Sequence, residues 1–337
     1  MDHREPDPAG SRRFARLVPA EAVRKLALSR MIIALVAGLV GLLVVGSGFW
    51  YVGARAVGWV TRQDAYQVPF HDITLSPPPP AWFRGGSKAF LDHVRAAAMI
   101  KAERVPVLDG DLARLALAFQ KSPWVRSVAQ VRNVYPRQII VTLQYREPVA
   151  IARSSGTPEW LVDRDGVILP AEGVNDEARK TLVALEHLGR PHDPRPGRAW
   201  QIYDDAQKSA REDPRASAAG RLASFLRSSD ASRDGGWPPP VVAVLVGTSE
   251  KQLFVQFEPF TRVRWGKAPG SELPDEPGAV EKWHLLQEWF RAHPDGVERS
   301  DYLSLSKRTI VIERDPGAAP KGPLSRASGG LPEKLSR

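Results

Sequence analysis

From Met31 to Ala54 the chain runs 24 residues without a charge, between Arg30 and Arg55. A helix rises about 1.5 Å per residue, so roughly 20 apolar residues cross the hydrocarbon core of a bilayer. The run therefore predicts a transmembrane helix over 31–54. Ala34, Gly38 and Gly41 fall on one face of it. Small residues are common in membrane helices, and such spacing also lets two helices approach closely. Past a polar connector at 55–66, Phe70 to Leu75 reads as a strand, and the polyproline run Pro77–Pro80 as a stiff spacer. Phe90, Leu91, Val94 and Ala98 predict a helix over 87–100. Leu112, Leu115, Ala116 and Phe119, at i, i+3, i+4 and i+7, predict a second, capped by Asp109 or Asp111.

The period then changes from helical to alternating. Val125 to Val134 reads as a strand. Ile139, Val141, Leu143 and Tyr145 alternate with Ile140, Thr142, Gln144 and Arg146 in the next, and the turn between them holds Pro136. Residues 160–162 and 167–169 make a hairpin around Asp163-Arg164-Asp165-Gly166. Residues 171–240 are polar and broken by prolines, with one helix expected over 216–227. Strands are expected at 241–246, 252–257, 261–265 and 309–312. Val280, Trp283, Leu286 and Phe290 give a helix beginning near Pro277 its apolar side. Leu303 and Leu305, beside Ser304 and Ser306, read as β. The Gly, Pro, Ser and Lys/Arg-rich tail at 314–337 reads as disordered.

Charge orients this plan. Residues 1–30 carry seven Lys/Arg, and the 20 residues after the apolar run carry two. Basic flanks stay cytoplasmic, so the tail is expected inside and the bulk outside, with Trp50, Tyr51 and Trp59 at the outer interface. Ala54-Arg55-Ala56 fits a signal-peptidase pattern, but signal cores are usually about 7–15 residues, so a retained anchor is expected. The net charge of +9 lies mostly in the two tails, with no dense basic stripe between them, so no nucleic-acid partner is expected. The chain has no Cys, which removes disulfides and thiolate chemistry and suits a bacterial envelope.

Motifs for chemistry are scarce. The seven His include no H-E-x-x-H. Asp163 and Asp165 lack the remaining ligands of a calcium loop and read as a turn. Ser304-Leu305-Ser306-Lys307 matches S-x-x-K, but that chemistry needs a helical turn and the S-D-N and K-T-G partners, which are missing. No catalytic group, metal site or cofactor is expected.

Trp124, following Pro123, stands where a helix passes into a strand, and a large ring there can lock helix to sheet. Pro136 restricts the hairpin turn, and Pro148, after Glu147, stiffens a joint between domains. Pro123-Trp124-Val125, Val131-Arg132, Tyr135-Pro136, Val141 and Arg146-Glu147-Pro148-Val149-Ala150 recur with Leu161-Val162-Asp163, Asp165-Gly166 and Val167-Ile168-Leu169. Together they resemble the FtsQ/DivIB cell-division proteins. The resemblance is specific over about 50 residues and architectural beyond them, with Val263, Trp265-Gly266 and Tyr302-Leu303-Ser304-Leu305 fitting the last third. Two departures stand out: a proline run with extra residues over 76–86, and no Asp-Leu-Arg near Ser304.

The resemblance implies an α+β fold: cytoplasmic tail 1–30, transmembrane helix 31–54, a POTRA-type β-α-α-β-β domain 66–148, a mixed, mostly antiparallel β domain 149–313, and tail 314–337. It implies no catalysis. It implies recruitment of FtsB/FtsL (DivIC-like) single-span coiled-coil proteins and other divisome components at the inner membrane of the septum, and regulation of septal peptidoglycan synthesis. The family's contact is strand addition at the last β strand, here Lys307, Arg308, Thr309, Ile310, Val311, Ile312 and Glu313. An edge strand offers unpaired N–H and C=O groups that a partner can complete. The competing reading is an envelope transport or assembly chaperone using its POTRA domain. Such proteins usually precede an outer-membrane barrel, whose repeated alternating strands are missing here.

Overall fold

The computed structural model describes residues 20–61, 63, 66–106, 111–134, 137–153, 159–230, 238–297, 301–306 and 309–314. It divides into two compact units, residues 1–66 and 67–337. The tail expected at 314–337 lies outside the described residues except for Arg314.

In the first unit α1 (Ala20–Thr61) is a single helix of 42 residues. Its stretch Leu35–Ala56 has no buried side chain, and Leu42, Phe49 and Trp50 are exposed. Such a helix, apolar all round up to Arg55, suits hydrocarbon, and the 22 residues of this stretch span about 33 Å. Among the described residues it is the one helix long and apolar enough to cross a membrane. The helix passes Ala54 and continues to Thr61, so the connector expected at 55–66 is helical through most of its length.

The second unit begins β1 (Gln67–Pro69), β2 (Thr74–Ser76), α2 (Gly86–Ala97), β3 (Arg104–Pro106), α3 (Asp111–Gln120), β4 (Val125–Val134) and β5 (Gln138–Tyr145). The strand expected over 70–75 is broken by a 3-10 turn at Phe70–Asp72. β2, β5 and β4 form a three-stranded sheet in that order, β2 parallel and β4 antiparallel to β5. β1 and β3 form a separate antiparallel ladder. Phe90, Leu91 and Val94 of α2 and Leu115 and Phe119 of α3 pack with Ile139, Val141 and Leu143 of β5, which is the alternating apolar face read from the sequence.

The chain continues through β6 (Pro148–Ala152), β7 (Trp160–Asp163), β8 (Ile168–Leu169), α4 (Asp176–Lys180) and β9 (Val183–Glu186). A hairpin of β10 (Gln201–Asp204) and β11 (Ser209–Glu212) leads to α5 (Pro214–Asp230). Then come β12 (Val241–Val246), β13 (Leu253–Phe257), β14 (Arg262–Gly266), α6 (Ala279–Ala292), β15 (Asp301–Ser306) and β16 (Thr309–Arg314). Nine of these strands form a mixed sheet ordered β16-β15-β14-β13-β12-β9-β6-β7-β8.

One face of that sheet is covered by α5 and α6. Leu222, Leu226, Trp283, Leu286 and Phe290 pack on Val244, Val255, Phe257, Val263, Trp265 and Leu303. Among the described residues the opposite face is covered at one end, where Ile151, Leu161 and Leu169 join the core of α2, α3 and β5. Further along it Phe254 packs on Ala184, Ala243 and Leu245.

β9 sits in the interior of the sheet, parallel to both β12 and β6, inside the stretch read from the sequence as polar and broken. Its run Val183-Ala184-Leu185 is buried on both faces, so it carries no alternation to read.

Candidate partner-binding edge

The nine-stranded sheet has two ends that differ in kind. At one, β8 is sealed: Ile168 donates its N–H to the Arg198 carbonyl at 2.9 Å, and its own carbonyl accepts from Gly197 at 2.8 Å. At the other, β16 pairs with β15 on one side, in register from Asp301↔Arg314 to Ser306↔Thr309. No described strand lies on its other side.

The β16 side chains follow from that position. Ile310 faces the helices with Leu305 and packs on the core. Ile312, on the same face, is 55% exposed, and Val311, on the opposite face, is 45% exposed. An exposed β-branched pair on both faces of an edge strand is a ready template for strand addition. The residue pair Tyr302↔Glu313 fastens the strand, the phenol donating to the Glu313 carboxylate at 2.6 Å. That hydrogen bond, followed by burial, raises the Tyr302 pKa above its ordinary value. Of the expected edge residues, Lys307 and Arg308 lie outside the described residues. Thr309, Ile310, Val311, Ile312 and Glu313 all lie on β16.

The open sheet face beside this edge holds two hollows of about 400 and 380 Å³. The larger is lined in part by His187, Phe254, Arg262, Arg264 and Tyr302, and the other by Lys251, Arg264, Ser304 and Glu313. Ser304 lies on β15, so the S-x-x-K spacing is not presented on a helical turn. Among the described residues no group of three or more His, Asp or Glu stands close enough to hold a metal ion.

The other singled-out residues gather far from β16, where the two sheets meet. Asp163, 1% exposed, accepts from the backbone N–H groups of Asp165 at 2.9 Å and Val167 at 2.8 Å through Oδ1. Its Oδ2 accepts from Arg146 at 2.7 Å. The carboxylate is thus used inside the fold, as the turn reading required. Gly166 closes that turn at φ +79°, and a Cβ there would stand 2.8 Å from the Ser217 backbone nitrogen. Glu147 accepts from Arg227 at 3.0 Å, and Arg227 also donates to the Pro148 carbonyl at 2.8 Å, which ties the start of β6 to α5.

Pro123 is half-buried, and Val125 opens β4 in the core. Trp124 is wholly buried between Trp82 and Phe83, with ring centroids 5.5 Å from each. Its expected role was to lock helix to sheet. It lies in the core shared by α2, α3 and β5, and its ring meets the segment after the proline run and Gly173, whose hypothetical Cβ would overlap the indole. Phe83 carries the contact on to Phe90 of α2. Trp82 and Arg84 are stitched to 173–175 by backbone hydrogen bonds, Asn175 to Trp82 at 3.0 Å and Arg84 to Gly173 at 2.9 Å. The Trp82-Phe83 dipeptide next to Pro80 was the available signal for this contact. Pro136 lies outside the described residues.

Over 115 residues, 32% of this chain and 39% of the relative, the sequence is 34% identical to the cell division protein FtsQ of Thiomonas arsenitoxydans. The match thus spans about two-fifths of that protein's length. No family model matches the chain.

Proposed function

We propose that the chain is a bitopic, FtsQ-like cell-division protein of the inner membrane, a non-enzymatic scaffold that recruits FtsB/FtsL-type coiled-coil partners and helps regulate septal peptidoglycan synthesis. In this reading α1 is the anchor, the bulk is extracytoplasmic, residues 66–148 are a POTRA-type domain and 149–313 a β domain. The sheet order β2-β5-β4 with α2 and α3 on one side supports the POTRA reading. The similarity to a division protein supports the role.

The observation that carries the partner site is the asymmetry of the nine-stranded sheet: β8 is sealed, and β16 ends it with Val311 and Ile312 exposed on opposite faces. A partner segment adding as a further strand completes the ladder, and Val311 and Ile312 grip its side chains on both faces. The test is capture from detergent-solubilised envelopes by the tagged full-length chain. Small single-span coiled-coil proteins, lost from a folded β16 variant, are the expected result. Capture of unfolded exported chains, unaffected by that variant, overturns the reading in favour of the chaperone.

A further inference from the structure

A second surface lies between α2, β3 and α3. It is a hollow of about 380 Å³ lined by Ile100, Val105, Pro106, Leu115 and Ala118 among others, with Arg104, Arg114, Lys121 and Leu117 also in its wall. Val105, Leu115 and Ala118 are buried and form its floor. The three cations are exposed, and Leu117 is 58% exposed.

Next to this hollow the end of α2 has an unusual residue choice. Ile100 donates to the Arg95 carbonyl at 2.9 Å and Met99 to the Ala96 carbonyl at 3.1 Å, the two bonds of a Schellman ending. The left-handed residue of such an ending is usually Gly or Asn. Here it is Met99 at φ +54°, with its side chain 86% exposed. A long apolar side chain is thus held in a conformation that disfavours it and pointed at solvent. Arg95 fixes this turn by donating to the Ile100 and Lys101 carbonyls.

β3 is the ladder partner of β1, and five residues of chain separate the start of β1 from the end of α1. From 95 to 121 the sequence carries Arg95, Lys101, Arg104, Arg114 and Lys121 against Glu103, Asp109 and Asp111.

We infer that this surface is a peripheral contact for anionic lipid. Arg104, Arg114 and Lys121 pair with phosphate headgroups, while Met99 and Leu117 enter the headgroup–acyl boundary. The charge is complementary to an anionic bilayer surface, and exposed unbranched or γ-branched side chains flanked by cations are what an interfacial segment presents. Proximity along the chain to a helix fit to cross a membrane supplies the bilayer. The contact is independent of the division reading and of β16.

The chain lacks Cys, so one introduced thiol reports from one place. Full-length protein carrying Met99→Cys with a nitroxide is reconstituted in phosphatidylcholine vesicles and in vesicles mixing phosphatidylcholine with phosphatidylglycerol. Tyr203→Cys, on the β10–β11 hairpin, is the control. The expected result is a loss of collisions with a water-soluble relaxant and a gain with oxygen at position 99, in the anionic vesicles alone. High salt reverses it, because surface charge is screened within about 8–10 Å near physiological ionic strength. Each removed cation weakens the contact by about fivefold, so Arg104→Gln with Arg114→Gln and Lys121→Gln abolishes it. Equal water exposure at position 99 in both vesicle types overturns the inference, without any variant having to fold. Protection that appears only on adding polyglutamate overturns it too, in favour of an acidic protein segment.

Discussion

Gly166 and Gly189 separate two costs that are usually mixed. Both have positive φ, +79° and +81°, but a Cβ at 166 would meet the α5 backbone, whereas nothing lies within 4 Å of one at 189. Gly189→Ala is expected to cost about 1 kcal/mol, from backbone strain alone. Gly166→Ala is expected to cost about 1–3 kcal/mol more, since α5 must shift. Urea unfolding of the two variants checks this, and equal losses would remove the close approach from the account. Lys282 offers a sharper case. It is wholly buried, with Nζ 2.5 Å from the Glu276 carboxylate and 2.9 Å from the Trp265 carbonyl. Burial alone would raise the Glu276 pKa, but the hydrogen bond from Lys282 and those from the Lys267 and Leu273 backbone hold it below its ordinary value. A carboxylate with a lowered folded pKa adds stability above its unfolded pKa, near 4.3, and that stability is lost as pH falls through the folded value. The melting temperature is therefore expected to drop below about pH 4 by a component that Glu276→Gln lacks. At neutral pH Glu276→Gln leaves a buried unpaired ammonium and is expected to cost about 3–5 kcal/mol. A variant as stable as the parent at pH 7 would show that the pair holds nothing together. Nothing in the local sequence pattern points to this pair, because the loop after β14 carries Glu276 and α6 carries Lys282, and only the fold brings the two together beside Trp265.

At the scale of elements, legibility followed periodicity. α2, α3, β5, β14 and α6 carry clear 3.6 or 2.0 repeats, β4 and β12 read as strands from their valine-rich runs, and all lie within a few residues of their expected positions. β9 was missed because a strand buried on both faces shows no alternation, and four residues among charged neighbours give no length signal. β3 was missed because three residues paired to β1 have no pattern of their own. The Trp82-Phe83 segment read as a departure from the family plan, yet it supplies the rings that enclose Trp124. β16 was visible as a β-prone run, but its place at the end of a nine-stranded sheet is a property of topology, which a local pattern does not encode. That place yields a test within one element. Adjacent residues of a strand send their N–H groups to opposite sides. Of Val311→Pro and Ile312→Pro, one therefore removes a ladder bond to β15 and the other an outward donor. One variant is expected to melt lower, and the other to melt near the parent temperature. Equal loss of melting temperature in both would place β16 inside a paired sheet rather than at its edge.

For the molecule as a whole, the apolar run was the most legible feature, since a bilayer imposes a length rule that a globular core does not, and α1 carries that run as one helix. What α1 and the sheet edge accomplish together is a matter of partners. In the proposed function, recruitment depends on the outward backbone of β16, which has no described strand on its other side. The deciding measurement is the affinity of the proposed partners, a purified FtsB/FtsL-type coiled-coil pair, for the full-length chain, its Val311→Pro form and its Ile312→Pro form, with melting curves alongside. The account predicts that the variant which melts like the parent loses at least about tenfold in affinity, roughly the 1.4 kcal/mol expected for an edge hydrogen bond removed and its partner left unpaired. Parental affinity in that folded variant would contradict strand addition at β16.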